Sequence, residues 1–155
     1  MLEPVPRYGT RASIDNLITA LDLTDNYGMQ DWSYEIAEPE DIDKYLDHYR
    51  LINNEDDKFV LMEMIIQATE YQRTNQDFVQ YCSTIKDLLT EDFTIHQYTI
   101  YYWASMDQVD LSNAWKIAPL MRELWHSYEN TGEIFVSGKL YLPADLSTGI
   151  LESIK

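Results

Sequence analysis

The sequence predicts a mainly α protein, built as stacked antiparallel helices of the bundle or short-solenoid kind, with a minor C-terminal β element. The first observation is composition: of 155 residues, 45 % are apolar and 13 % aromatic, whereas glycine and proline number five each. Such a chain can bury a core, and it has too few turn-forming residues for an all-β fold. The second observation is that apolar residues recur at spacings of three and four through most of the chain, the period of an amphipathic helix.

The length predicts one domain, residues 1–155, because a chain of this size supports one well-buried core and not two. Residues 1–12 contain two prolines and a glycine and are predicted to form an irregular arm. The helical body is predicted to span residues 13–130. Residues 131–155 are predicted to form a hairpin or wrap and a short helix.

The first predicted helix begins near Ser13, whose hydroxyl can cap a helix. Its apolar positions are spaced by three and four: Ile14, Leu17, Ile18 and Leu21. The helical period then breaks, and apolar residues alternate with polar ones at Trp32, Tyr34 and Ile36. This alternation predicts a short extended segment or ordered loop.

A second helix is predicted to begin within Glu38–Asp41, because proline is tolerated in the first turn and carboxylates there meet the positive end of the helix dipole. Its apolar stripe comprises Ile42, Tyr45, Leu46 and Tyr49. A third helix, at about residues 56–72, is apolar on nearly every side. Its narrow polar strip comprises Glu63, Gln67 and Glu70. Such a helix must be covered by others, so it is predicted to lie at the centre of the fold.

Three further helical segments are predicted in the rest of the body: residues 76–89, 91–106 and 112–130. Pro119 must kink or split the last of them, because it lacks an N–H group and crowds the preceding turn. Beyond Gly132 two β-rich triplets flank Ser137-Gly138-Lys139, which predicts a small hairpin that needs the helical body to pack on. A last short helix is predicted at about residues 145–154.

The charge is strongly negative and unevenly distributed. The formal net charge is −16, and the segment from Asp15 to Asp57 contains thirteen Asp or Glu against only Lys44 and Arg50. A field of this sign repels nucleic acid and anionic membranes and speeds the encounter with a basic protein. Solubility alone also explains a large net charge, but its concentration in one segment favours an interaction surface.

We expect this surface to consist of carboxylates with aromatic anchors, because Tyr and Trp contribute much of the energy of protein interfaces. The candidate carboxylates are Glu38, Glu40, Asp41, Asp43, Asp47, Glu55, Asp56 and Asp57. The candidate anchors are Trp32, Tyr45 and Tyr49. A second aromatic group is expected to be about half core, with the rest exposed: Tyr98, Tyr101, Tyr102 and Trp103.

No motif identifies a reaction, a cofactor or a metal site. The acidic segment lacks the alternating ligands, the sixth-position glycine and the twelfth-position glutamate of an EF-hand. Glu123-x-x-His126 is half of a di-iron carboxylate signature, and the sequence has no second copy. His96 follows Asp92 by one helical turn, but no nucleophile motif accompanies it. A surface or half-buried structural histidine is the expectation.

Two other residues have specific expectations. Glu63 lies in the most apolar helix, so burial would raise its pKa. Cys82 is the only cysteine, which excludes an intramolecular disulfide, and it is expected to be a small core residue.

The location is expected to be cytoplasmic. The stretch MLEPVPRYGTR has no apolar signal segment. No uninterrupted apolar run is long enough to cross a bilayer.

The stretches MQDWSYEIAEPEDIDKYLDHY, KFVLMEMIIQA and WKIAPLMRELW, spread over residues 29–125, resemble small acidic bacterial proteins encoded beside polymorphic or contact-dependent growth-inhibition toxins. The resemblance implies an immunity protein that binds one cognate toxin domain, often a basic nuclease, and blocks its active site or substrate groove. It carries over no catalytic residue, metal or cofactor.

The expected function is therefore binding rather than catalysis, with a basic protein, most of all a toxin nuclease domain, as the partner. One alternative is a helical adaptor or scaffold that binds a peptide or protein in a groove with little salt dependence. The other is a small enzyme with an unrecognised site around Glu63, His96 or His126.

Overall fold

The structure is a computed structural model that describes residues 3–24, 31–131, 134–136 and 139–141. Within these residues the chain is mainly α-helical with seven α-helices, which confirms the predicted fold class at this level. The helices are α1 (Arg11–Leu21), α2 (Trp32–Ile36), α3 (Ile42–Leu51), α4 (Glu55–Glu70), α5 (Asn75–Glu91), α6 (Phe93–Trp103) and α7 (Ala118–Thr131). Short 3-10 turns precede α3 and α7, at Pro39–Asp41 and Leu111–Asn113.

The chain groups into two compact units. The first unit is residues 8–87, with α1 to α4 and most of α5. The second unit is residues 1–7 and 88–155, with the end of α5 and with α6 and α7. The single domain and the bundle or solenoid arrangement of its helices stay predictions.

Helix α4 is the core of the first unit, as its apolar character predicts. Phe59, Leu61, Met62, Met64 and Ile66 are each at most 1 % exposed. Helices α1, α2 and α3 and the 3-10 turn Pro39–Asp41 all pack against it. Its start is fixed by the Asn54 side chain, which accepts a hydrogen bond from the Asp57 N–H at 2.9 Å, and such a cap satisfies one of the unpaired N–H groups of the first turn.

The first two helices differ from the sequence predictions. Thr10, rather than Ser13, caps α1 by accepting the Ser13 N–H at 3.1 Å, and Ser13 is a buried residue of the helix. The segment predicted to be extended is instead the single-turn helix α2. An alternation over only five residues cannot distinguish the two periods, and packing decides: Trp32 is buried, while Ser33 and Tyr34 both bind Glu63 of α4.

The start of α3 agrees with its prediction. Pro39 opens the 3-10 turn, and α3 continues directly from it at Ile42. The predicted apolar stripe is buried throughout: Ile42, Tyr45, Leu46 and Tyr49. This stripe covers α4, so the opposite side of α3 carries the charged residues.

In the second unit α6 packs against α7 through aromatic contacts. The Phe93 and Tyr128 rings stack with centroids 3.6 Å apart, and Tyr101 meets Trp125 edge-on at 5.0 Å. Pro119 lies in the first turn of α7, where proline is tolerated. The proline therefore splits the long helix predicted at residues 112–130 into a 3-10 turn and α7.

Beyond α7 the structure gives two three-residue strands, β1 (Ile134–Val136) and β2 (Lys139–Tyr141), paired antiparallel with Ile134 opposite Tyr141. A ribbon this short has little stability of its own. A β element packed as part of the fold stays a prediction. The short helix predicted at residues 145–154 lies outside the described residues.

Shortening a leucine in α4 should cost far more stability than shortening one at the surface. Leu61 is 0 % exposed, whereas Leu51 at the end of α3 is 77 % exposed. We expect Leu61→Ala to lower the free energy of unfolding by about 2–5 kcal/mol, because it leaves a cavity. Leu51→Ala should change it by less than about 0.5 kcal/mol. Urea denaturation measures both, and equal losses would contradict the central place of α4.

Candidate functional site

Seven carboxylates predicted for the interaction surface are exposed on the first unit. We call this set the acidic face: Glu38, Glu40, Asp41, Asp43, Asp47, Glu55 and Asp56. The 3-10 turn and α3 contain four of them and Glu38 directly precedes the turn; the buried stripe of α3 fixes which side of that helix is turned to solvent. The first turn of α4 positions the other two, where they also meet the positive end of the helix dipole.

Part of the acidic face is bound by neighbouring side chains. Glu40 pairs with Arg73 at 2.8 Å, and Asp43 accepts a hydrogen bond from the Tyr81 hydroxyl at 2.9 Å. The pair Asp47–Arg50 is longer, at 3.6 Å. Exposed ion pairs of this kind contribute little to stability because water screens them. In these pairs two arginines offset two of the seven carboxylates, so the set as a whole keeps an excess of negative charge.

Asp57 does not belong to the exposed surface. Its side chain is buried, and both carboxylate oxygens accept hydrogen bonds from the Asn16 amide at 3.3 Å. The carboxylate thus joins α1 to the first turn of α4. Its contribution is structural, which removes it from the predicted partner-binding set.

The three predicted anchors are buried, so the expectation that they are exposed is wrong. Trp32, Tyr45 and Tyr49 are 3 %, 0 % and 2 % exposed. The Tyr45 hydroxyl accepts the Glu38 N–H at 3.1 Å, and burial raises the pKa of Tyr45. The physical reason is that α4 is apolar on nearly every side and must be shielded from water, and these rings belong to the helices that shield it. They cannot contact a partner while the first unit is folded.

Two large apolar side chains of the first unit, Leu51 and Tyr71, are exposed although neither was predicted to be an anchor. Leu51 follows Asp47 by one turn at the end of α3. Tyr71, 55 % exposed, directly follows α4 and lies two residues before Arg73, the partner of Glu40. A signal for Leu51 was present, because it falls outside the spacing of the α3 stripe.

Glu63 has the perturbed ionisation that the sequence predicts. Its Oε1 accepts a hydrogen bond from Ser33 Oγ at 3.0 Å, and its Oε2 accepts one from Tyr34 Oη at 2.9 Å. Burial raises its pKa to about 7, the two hydrogen bonds oppose this, and the charge of Asp31 adds to it. The group can therefore exchange a proton near neutral pH, and it also links α2 to α4.

Within the described residues, the histidines do not form a reactive cluster with Glu63. His96 is fully buried in α6, which corrects the expectation of a surface or half-buried side chain. His126 is exposed, and its Nδ1 lies 3.3 Å from Glu129 Oε1. Among described residues no three His, Cys, Asp or Glu side chains are grouped as a metal site would require. Cys82 is half-buried on α5 rather than in the core.

Comparisons with family models, with curated proteins and with solved structures find no match for this chain. In the described part of the chain, no helix has both the length and the apolar content that a bilayer crossing needs.

Glu63 should make the folded state less stable as the pH rises from 5 to 8. An ordinary glutamate has a pKa of 4.5, and that of Glu63 in the folded state is about 7. Between these values the folded state holds a proton that the unfolded state has released, so stability falls through this window by at most about 3 kcal/mol. Glu63→Gln should be more stable than the wild type at pH 8 and similar to it at pH 5.

The measurement is the difference in free energy of unfolding between variant and wild type at the two pH values, by urea denaturation. Taking this difference cancels the titration of the other carboxylates. Glu35→Gln, an exposed position on α2, is the control and should show no such dependence. A Glu63→Gln effect that is the same at both pH values would disprove the raised pKa.

Proposed function

We propose that this protein is a binding protein, not an enzyme, that neutralises a basic protein partner through the acidic face. The observation that carries the proposal is that seven of the eight predicted carboxylates are exposed, on consecutive elements from Glu38 through the 3-10 turn and α3 to the first turn of α4. A solvated charged surface needs no such concentration, whereas an interface with a cationic partner benefits from it.

The charge of the first unit supports this proposal. Residues 8–87 contain seventeen Asp or Glu against six Lys or Arg. Such a field accelerates diffusional encounter with a basic protein and suppresses binding to nucleic acid and anionic membranes. The partner is therefore a protein, and the association should weaken as salt screens the field.

A nuclease domain fits this chemistry, since it must hold phosphates in a cationic cleft. A face of carboxylates can occupy such a cleft and compete with the nucleic acid. Together with the resemblance to immunity proteins of the polymorphic-toxin and contact-dependent growth-inhibition type, this supports a cytoplasmic immunity protein that blocks the active site of a cognate nuclease toxin domain. The acidic face would do so without a cofactor.

Leu51 and Tyr71 take the place of the predicted aromatic anchors in this proposal. Carboxylates on the rim of an interface mainly set the association rate, while apolar groups that become fully desolvated supply most of the binding energy. Leu51 is exposed one helical turn after Asp47, and Tyr71 is exposed two residues before Arg73, which pairs with Glu40.

Reversal of charge on the acidic face should strongly weaken partner capture at low salt. The test variant is Glu38→Lys/Asp41→Lys/Asp47→Lys, and the control is Glu35→Lys/Asp87→Lys/Glu91→Lys, which makes the same change in net charge at exposed helical positions. Each chain is immobilised and exposed to lysate of its own host at low and at high salt. Mass spectrometry then identifies the retained proteins.

We expect the wild type and the control to retain one basic protein that high salt releases, and the test variant to bind it at least about tenfold more weakly. The recovered protein should cleave nucleic acid until the wild-type chain is added. The proposal fails if no basic protein is retained, or if the test variant captures it as well as the control does.

Leu51→Ala should weaken binding to the recovered partner about fivefold or more, since an anchor side chain is worth more than about 1 kcal/mol. Unlike charge reversal, this loss should be the same at low and at high salt. Val79→Ala is the matched control, because Val79 is an exposed apolar residue on α5 of the same unit. Isothermal titration calorimetry measures both, and equal losses would remove Leu51 from the interface.

A further inference from the structure

The second unit has a groove of about 720 Å³ that belongs to neither the acidic face nor Glu63. One face of α6 forms its floor, and the N-terminal segment and the loop between α6 and α7 form its sides. This volume lies in the range of sites that hold ligands of drug or short-peptide size.

Aromatic rings form much of the groove. Tyr98, Tyr101 and Tyr102 stand at spacings of three and four on α6, so they project from one side of the helix. Trp115 of the loop joins them, with its ring centroid 5.4 Å from that of Tyr102 and 4.4 Å from that of the buried Trp103. Tyr102 is 46 % exposed and Trp115 37 %, so both keep ring surface open to a ligand.

The groove is also negatively charged. Glu3 and Asp107 line it, and no lysine or arginine is among the described residues that do so. The Tyr101 hydroxyl donates a hydrogen bond to Glu3 Oε1 at 3.3 Å. Burial raises the pKa of Tyr101, and the charges of Glu3, Glu129 and Asp107 raise it further, which is the sign expected for a site with a negative potential.

Its loop wall is held in place from α7. The Arg122 guanidinium donates hydrogen bonds to the carbonyls of Ala104 at 2.7 Å and Gln108 at 2.8 Å, and also to that of Ser105. Ser105 has φ of 50°, a left-handed conformation that a non-glycine residue adopts only when its surroundings hold it. The wall is thus preorganised, which lowers the entropy cost of binding a ligand.

We propose that this groove binds the guanidinium group of an arginine presented by a partner polypeptide. A planar, weakly hydrated cation stacks on the faces of Trp and Tyr and is hydrogen-bonded by carboxylates. An anionic ligand would be repelled by Glu3 and Asp107, and a neutral apolar one would desolvate them without compensation. The volume exceeds one side chain, so residues that flank the arginine fit as well. The inference concerns a surface other than the acidic face and does not rest on the function proposed for it.

The test is titration of the full chain with a short capped peptide that has one arginine among neutral residues. The same peptide with citrulline, a neutral isostere, is the comparison. We expect the arginine peptide to shift the indole N–H signal of Trp115 in NMR spectra and to bind roughly tenfold more tightly than the citrulline peptide. Equal binding of the two peptides, no binding, or shifts that leave Trp115 unchanged would overturn the proposal.

Two variants separate a built site from general charge attraction. Glu3→Gln/Asp107→Asn removes both groove charges and keeps an oxygen that can accept the Tyr101 hydrogen bond, and it should weaken the arginine peptide about tenfold. Asp87→Asn/Glu91→Gln makes the same charge change at exposed positions on α5 and should leave binding unchanged. Equal losses in both variants would contradict the assignment.

Two further titrations test whether the groove prefers an arginine within a polypeptide to a small organic cation. Free arginine amide and choline are titrated under the same conditions. Much weaker binding of both than of the peptide supports a polypeptide ligand. If choline binds as tightly as the arginine peptide, the groove is a site for small organic cations and the polypeptide assignment is wrong.

Discussion

The first unit depends on the burial of α4. A helix with apolar side chains in almost every direction is stable only if each direction is covered, and each such side chain contributes about 1.5–3 kcal/mol when water is excluded from it. Its neighbours α1, α2 and α3 all meet this need. The residues that pack against Glu63 of α4 are polar. Ser33 and Tyr34 donate hydrogen bonds to its carboxyl group, since burying that group without hydrogen bonds would cost free energy.

This constraint also determines what is left for the surface. The helices that cover α4 turn their large rings inward, and Tyr45 and Tyr49 of α3 are thereby removed from solvent. The outer side of α3 carries charges of both signs, at Asp43, Lys44, Asp47 and Arg50, and ends with the exposed apolar Leu51. In the interaction proposed above, such a surface would favour rapid, charge-guided encounter over a large apolar contact, and specificity would depend on how well its charges match those of the partner.

The spacing of apolar residues predicted the secondary-structure elements well, but it predicted poorly which residues pack against them. The central place of α4, the start of α3 and the break at Pro119 all follow from local rules that need no knowledge of neighbours. The alternation at Trp32 to Ile36 did not fix α2, because its conformation depends on a contact with Glu63, thirty residues away. The prediction that Trp32, Tyr45 and Tyr49 are exposed was wrong for the same reason. The spacing of apolar residues identifies the apolar face of a helix, but it does not show that another helix of the same chain covers that face. The groove of the second unit combines the N-terminal segment with α6 and the loop that follows it, and Glu3 and Tyr101 are 98 residues apart, so no local pattern contains it.

The way in which the loop wall of the groove is held affects how the groove could change among related chains. Its shape is held by Arg122, which lies on α7 and is not among the residues that line the groove. Lysine keeps the charge at that position but has one nitrogen, so it cannot satisfy three carbonyls in the same planar geometry. Related chains could therefore acquire a new ligand preference by changing a residue that no ligand touches, and the surface alone would not reveal the origin of the change.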